Sequence, residues 1–292
     1  MNSFKNILTV VQPRTDDLLA VKKSMILAKR NFAKLTVLYV VPKSSFYDNW
    51  IHRHSHNGHT PDIQAQLEQL IASADDFGVR AEFVAVEDND FAHAIEQQFG
   101  RDTFDLVVAE HQKQEFRLWP FDEKAYQKLI DVSPSAVMFV GQHKWHEHGH
   151  ILAAIETEET SICHKQLNHE IVAKTDEMAK LLQSDSHFVN CYLRSCHIAF
   201  DIEHHILNEY EQHFNHLSAL VESYHCDKEK LHIEEGIVDD VIPQQANALD
   251  ANIVVLGCNE HKGIAASVKG HTIDFILDKL PCDVLALQPN VH

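Results

Sequence analysis

Three glycines late in the chain, Gly257, Gly263 and Gly270, punctuate a loop that leaves the continuously apolar run Ile253-Val254-Val255-Leu256 and ends where a helical pattern begins. Glycines let consecutive backbone N–H groups turn toward an anion, and a following helix offers its positive N-terminus to the same charge. Phosphate binding is therefore the chemistry that this spacing could do. The same glycines also suit plain turns and helix caps, which need no ligand. A second constellation is Glu209, His213 and His216, four and three residues apart and so on one face of a helical stretch. Two imidazoles and a carboxylate could form part of a zinc site, while the competing reading is a solvated amphipathic helix. Around the glycine loop the side chains with reactive groups are His261, Lys262, His271 and Thr272. No nucleophile with its base, no paired carboxylates and no Walker-type lysine can be traced, so no catalytic residue is assigned.

Histidine is abundant, with 23 in the chain, and it clusters. His52, His54, His56 and His59 lie in one loop, and His143, His146, His148 and His150 in another polar stretch. A metal site needs several imidazoles converging with partners behind them, so exposed runs of this kind are read as weak, adventitious binders. The six cysteines, Cys163, Cys191, Cys196, Cys226, Cys258 and Cys282, lack CxxC spacing and read as small buried residues rather than a disulfide or thiolate framework.

The elements that must position these residues come twice. Glu82 to Val140 matches Glu229 to Leu287 at one constant offset, and Asn6-Ile7-Leu8-Thr9-Val10-Val11 corresponds to His150-Ile151-Leu152-Ala153-Ala154-Ile155. Each half alternates short apolar runs with helical stretches: Val21 to Lys34 and Thr60 to Phe77 in the first, Ile162 to Leu182 and Ile202 to His225 in the second. Alternation with continuously apolar strands predicts α/β architecture, a doubly wound parallel sheet in each half. The expected division is residues 1–142, a polar linker at 143–149, and 150–292. In such sheets ligands bind at the carboxyl ends of the strands, which makes the post-strand loops the positions of interest.

A formal net charge of −18 repels phosphate backbones and anionic lipid, so neither nucleic acid nor a membrane is an expected partner. No apolar run reaches the roughly 18–20 residues of a membrane span. Met1 to Val11 lacks a signal-peptide pattern, so a cytoplasmic location is expected.

The layout Gly257-Cys258-Asn259-Glu260-His261-Lys262-Gly263, then Gly270-His271-Thr272, a helix, and Leu280-Pro281-Cys282-Asp283-Val284-Leu285 resembles the universal stress protein family. The likeness is to its tandem type, through Glu235-Gly236, Val241-Ile242-Pro243 and Cys282-Asp283 as well. It implies adenine-nucleotide α-hydrolase-like domains and a general role in stress and DNA-damage resistance. It also implies an intrachain pseudo-dimer, as a monomer or homodimer, acting through a small-molecule ligand or regulatory protein without being an enzyme. By the same resemblance ATP would sit on the second half at Gly257, Gly263, Gly270, His271 and Thr272, with Glu156 toward the adenosine. Glu260 stands at a family glycine position and His271 where the hydroxyl belongs; Gln12 and Glu123 mark the first half as degenerate. The alternatives are an ATP-binding switch with slow hydrolysis, and a carrier of a lipid-like ligand lined by Phe116, Leu118, Trp119 and Phe121.

Overall fold

The protein is described by a computed structural model over residues 4–11, 18–41, 63–111, 125–159, 161–193, 202–259, 263–264 and 273–289. It divides into two compact units, Met1–Val140 and Gly141–His292. In the first, β1 (Asn6–Val11), β2 (Lys34–Val41), β3 (Arg80–Glu87), β4 (Leu106–Glu110) and β5 (Ala136–Val140) form a sheet in the order β3-β2-β1-β4-β5. All of its pairings are parallel. Helices α1 (Leu19–Asn31), α2 (Ile63–Ala72), α3 (Phe91–Phe99) and α4 (Ala125–Val132) make the crossovers that parallel pairing requires. The strand order grows outward from β1 in both directions, which is the doubly wound arrangement. Ile7, Leu8, Leu35, Leu38, Leu106 and Val108 are fully buried, as expected of strands covered on both faces.

The sequence pattern carries α1 on to Lys34, but the helix stops at Asn31. Phe32 takes a left-handed conformation with φ 53°, and Ala33 N–H bonds back to Ala28 C=O, leaving Lys34 to start β2. That stop is a C-terminal αL turn built without glycine, so no residue type announces it.

The second unit repeats the plan. Here β6 (His150–Ala154), β7 (Asp185–Tyr192), β8 (Leu231–Glu235), β9 (Ala251–Asn259) and β11 (Asp283–Leu287) form a parallel sheet in the order β11-β9-β6-β7-β8. A two-residue β10 (Gly263–Ile264) turns back antiparallel on β9. The helices are α5 (Ile162–Leu182), α6 (Ile202–Val221), α7 (Val238–Ala248) and α8 (Ile273–Lys279). Tyr192 stacks on His213 of α6, while Glu234, across from Cys191 on the other face, accepts from Gln245 of α7. Helices α6 and α7 therefore cover opposite faces.

Helix α7 carries Pro243 in its interior. A proline there cannot donate to the carbonyl four residues back, Asp239. Lys279 fills that role: its Nζ donates to Asp239 C=O at 3.2 Å and pairs with the Asp240 carboxylate at 3.1 Å.

The stretch expected to be a linker, 143–149, is instead bolted into the second unit. Asp283, fully buried at the head of β11, accepts from Gly141 N–H at 2.9 Å and from the Trp145 indole N–H at 2.8 Å. Asn252, equally buried, accepts from His146 N–H at 2.8 Å and donates to His146 C=O at 2.9 Å. Gly149 passes so close that an added Cβ would stand 2.2 Å from Asn252 Nδ2. The segment looks like a linker by composition because its polar groups are satisfied by two buried side chains more than 100 residues away.

Candidate functional site

At the carboxyl end of β6 the chain turns through Ile155–Glu159, and buried polar side chains fix that turn. Asn190 on β7 donates to Ile155 C=O at 2.8 Å. Asn168 on α5 donates to Glu156 C=O at 2.6 Å, and the His164 ring contacts the same oxygen through Nε2 at 3.1 Å. Ser161 caps α5, its hydroxyl accepting from His164 N–H at 3.4 Å. The Glu156 carboxylate, the adenosine-side candidate, bends back on its own loop and accepts from Glu158 N–H at 2.8 Å.

The rim around this turn is acidic. Burial, with the Glu156 and Glu234 carboxylates next in effect, pushes the Cys191 thiol up to about 12. Burial is the main cause, and the two carboxylates act in the same direction, so the thiol stays protonated. Gly236 closes the β8 end with φ 151°, where a Cβ would meet Val241 Cγ2 at 2.8 Å.

The sequence-derived candidates separate here. Gly257 sits within β9, and a Cβ on it would lie 2.8 Å from Leu167 Cδ2 and 3.0 Å from Ile171 Cδ1. Its smallness lets α5 approach the sheet, which is a packing role. Gly263 pairs with Asn259 across the β9–β10 turn. Gly270, His271 and Thr272, like Phe116, Leu118, Trp119 and Phe121, lie outside the described residues.

The zinc trio is not assembled. His213 is buried, stacked on Tyr192 with centroids 4.8 Å apart, its Nδ1 3.3 Å from Thr157 Oγ1 and its Nε2 3.5 Å from Glu158. Glu209 is half-buried and His216 exposed, and the three do not converge as a ligand group. Helical spacing put them on one stripe, but the sheet edge takes His213 for itself.

Two features escaped the sequence pattern. His187 on β7 lies between His150 and His232 on the neighbouring strands, its Nε2 3.1 Å from His150 Nδ1 and its Nδ1 3.1 Å from His232 Nε2. Burial, with the two flanking imidazoles behind it, pushes His187 down to about 4, and burial also lowers His232. They are diagonal neighbours on one face of the sheet, since Leu152 stands directly across from His187 and Val189 directly across from His232. Near the same amino end, a cavity of about 260 Å³ is lined by Lys180, Asp185, Phe188, Tyr224 and Lys230. Its cations are engaged, Lys180 with Asp176 at 2.6 Å and Lys230 with Asp185 at 2.7 Å. The cysteines are not uniformly buried either: Cys258 and Cys282 are, Cys191 and Cys226 are half-buried, and Cys163 is exposed.

Residues 202–288 match the universal stress protein family model. Along its full length the chain is 28% identical to universal stress protein E of Escherichia coli K12, covering 96% of that protein. It is 25% identical to universal stress protein E of Photorhabdus laumondii, over 99% of this chain and 96% of the relative.

The chain is a relative of the universal stress proteins.

Among solved structures, a universal stress protein from Archaeoglobus fulgidus superposes with a TM-score of 0.63 at 13% identity, over 99% of each chain. A functionally unknown protein from Pseudomonas aeruginosa PAO1 gives 0.74 at 23%, over 99% of this chain and 94% of that one. At those identities the structural likeness shows the fold. In this universal stress protein relative, no helix among the described residues is long and apolar enough to cross a membrane.

Proposed function

We propose that this stress-response relative is a non-enzymatic binding protein of the cytoplasm, whose working surface is the carboxyl edge of the second unit's sheet. The similarity to universal stress protein E along the whole chain supports the stress-response role. The acidic rim carries the binding reading. Glu156 and Glu234 lie near the half-buried Cys191, Glu158 lies beside the buried His213, and the Glu156 carboxylate is turned onto its own loop. Such a rim disfavours a triphosphate and suits an uncharged or cationic small molecule, or a basic segment of a regulatory protein. Side chains at this edge, Asn168 and Asn190 among them, are held by hydrogen bonds to backbone, as a preformed binding surface requires.

The second reading, an ATP-binding switch, rests on the β9–β10 turn at Gly263, which continues from the strand end into the glycine loop. One titration separates the two. Mg-ATP is added to the purified full chain by calorimetry, and phosphate release is followed on the same samples. The binding-protein reading expects phosphate release no faster than the buffer blank. Saturable binding with turnover that changes in Glu156→Gln would replace it with the ATP switch.

A further inference from the structure

We propose that His143, His146 and Asp250 form a binding site for a zinc-class divalent transition metal, separate from the carboxyl-edge site. Among the described residues these three are the group whose candidate ligand atoms converge, all lying within 4.8 Å of one another. The His146 Nε2 and Asp250 Oδ2 atoms are 3.5 Å apart, and the His143 and His146 rings meet edge-on with centroids 5.4 Å apart. Two ligands of a tetrahedral ion with bonds of about 2.0–2.1 Å stand about 3.3 Å from each other. The His146–Asp250 pair is near that separation already. The widest separation closes by about 1.5 Å, within the reach of side-chain rotations at His146 and Asp250, both solvent-exposed.

What makes this a built site is the backbone beneath it. Trp145, between the two histidines, points its indole N–H at the buried Asp283, and His146 is held by both its N–H and its C=O on the buried Asn252. Asp250 lies two residues before Asn252, in the α7–β9 turn, with φ 49°. Asn252 thus fixes one ligand loop directly and the other through the chain. The donor set is two imidazoles and a carboxylate, which suits zinc and its neighbours, leaves a fourth position for water, and is poorly matched to the all-oxygen preference of magnesium or calcium. The net charge of −18 favours cation capture further. A bound ion would cross-link the 141–149 segment to the start of β9, so occupancy stabilises the second unit.

The test uses the full chain stripped with chelator and titrated with Zn²⁺ against a chromophoric zinc chelator, with Co²⁺ absorption as a second readout. Three variants are compared. His146→Gln removes an exposed ligand; Asp250→Gly removes the carboxylate at a left-handed position that glycine adopts freely; His169→Gln removes an exposed histidine of α5 as a control. The expected result is that the tightest-bound equivalent weakens at least tenfold in the first two and is unchanged in the control. The four-coordinate Co²⁺ bands should disappear in parallel. A first equivalent with wild-type affinity and spectrum in both ligand variants overturns the proposal, as does a wild-type chain with no equivalent tighter than its scattered histidines provide. If Asp250→Gly loses its circular-dichroism signature, His146→Gln alone decides.

Discussion

Acidifying the protein should unfold it partly through one residue, His187. Its folded-state value is pushed down to about 4, first by burial and then by His150, His232 and Lys230, with Asp185 opposing. In the unfolded chain a histidine titrates near 6.5, so between about pH 6.5 and 4 the unfolded state binds the extra proton and the folded state does not. Stability is therefore full above about pH 6.5 and falls as the pH drops toward 4. A shift of this size corresponds to about 3.4 kcal/mol at 1.36 kcal/mol per unit, and screening reduces the expected loss to about 2–3 kcal/mol. The ring contacts accommodate either form, since a neutral His187 donates to one neighbour and accepts from the other and a protonated ring donates to both, so burial sets the sign. The assay is urea unfolding of the wild type and His187→Gln at about pH 7.5 and about pH 4.5. Wild type should lose about 2–3 kcal/mol more than the variant across that interval, because glutamine keeps hydrogen-bonding capacity without titrating. Equal losses in the two proteins would refute the reasoning.

Other outcomes follow from named contacts. Gly257→Ala should cost about 1–3 kcal/mol by forcing Cβ against Leu167 and Ile171, and adding Leu167→Ala should recover part of it; strict additivity in the unfolding midpoints would return Gly257 to a ligand role. Lys279→Met should destabilise by about 1 kcal/mol in urea by leaving the Asp239 carbonyl beside Pro243 without its donor, whereas Lys279→Met with Pro243→Ala should be milder, since alanine restores the helical N–H. Asp283→Ala should cost about 3 kcal/mol by orphaning Gly141 N–H and the Trp145 indole, read as a lower melting temperature and a shift in Trp fluorescence.

Much of the architecture was legible in the residues themselves. Parallel strands buried on both faces must be continuously apolar, so runs such as Ile253-Val254-Val255-Leu256 declared themselves, and α5 was readable from Ile162 to Leu182. The internal match of Glu82–Val140 with Glu229–Leu287 likewise shows a repeated plan in the residues themselves. What the local pattern missed were decisions made by long-range contact. Phe32, Gln183, His225 and Asp250 end or turn their segments at positive φ without being glycine, and composition gives no sign of such stops. The segment 143–149 read as a linker because Asp283 and Asn252, which anchor it, lie far away in sequence. Gly257 read as a phosphate glycine, yet its spacing could not show that Leu167 and Ile171 press on it. His150, His187 and His232 became a chain, and His143, His146 and Asp250 a cluster, only when strand register and loop anchoring set them side by side. Periodicity and residue type settle which segments are strands and helices, because those depend on neighbours within a few positions. Which polar side chains meet depends on the packing of segments distant in the chain, and that is settled by the tertiary structure alone.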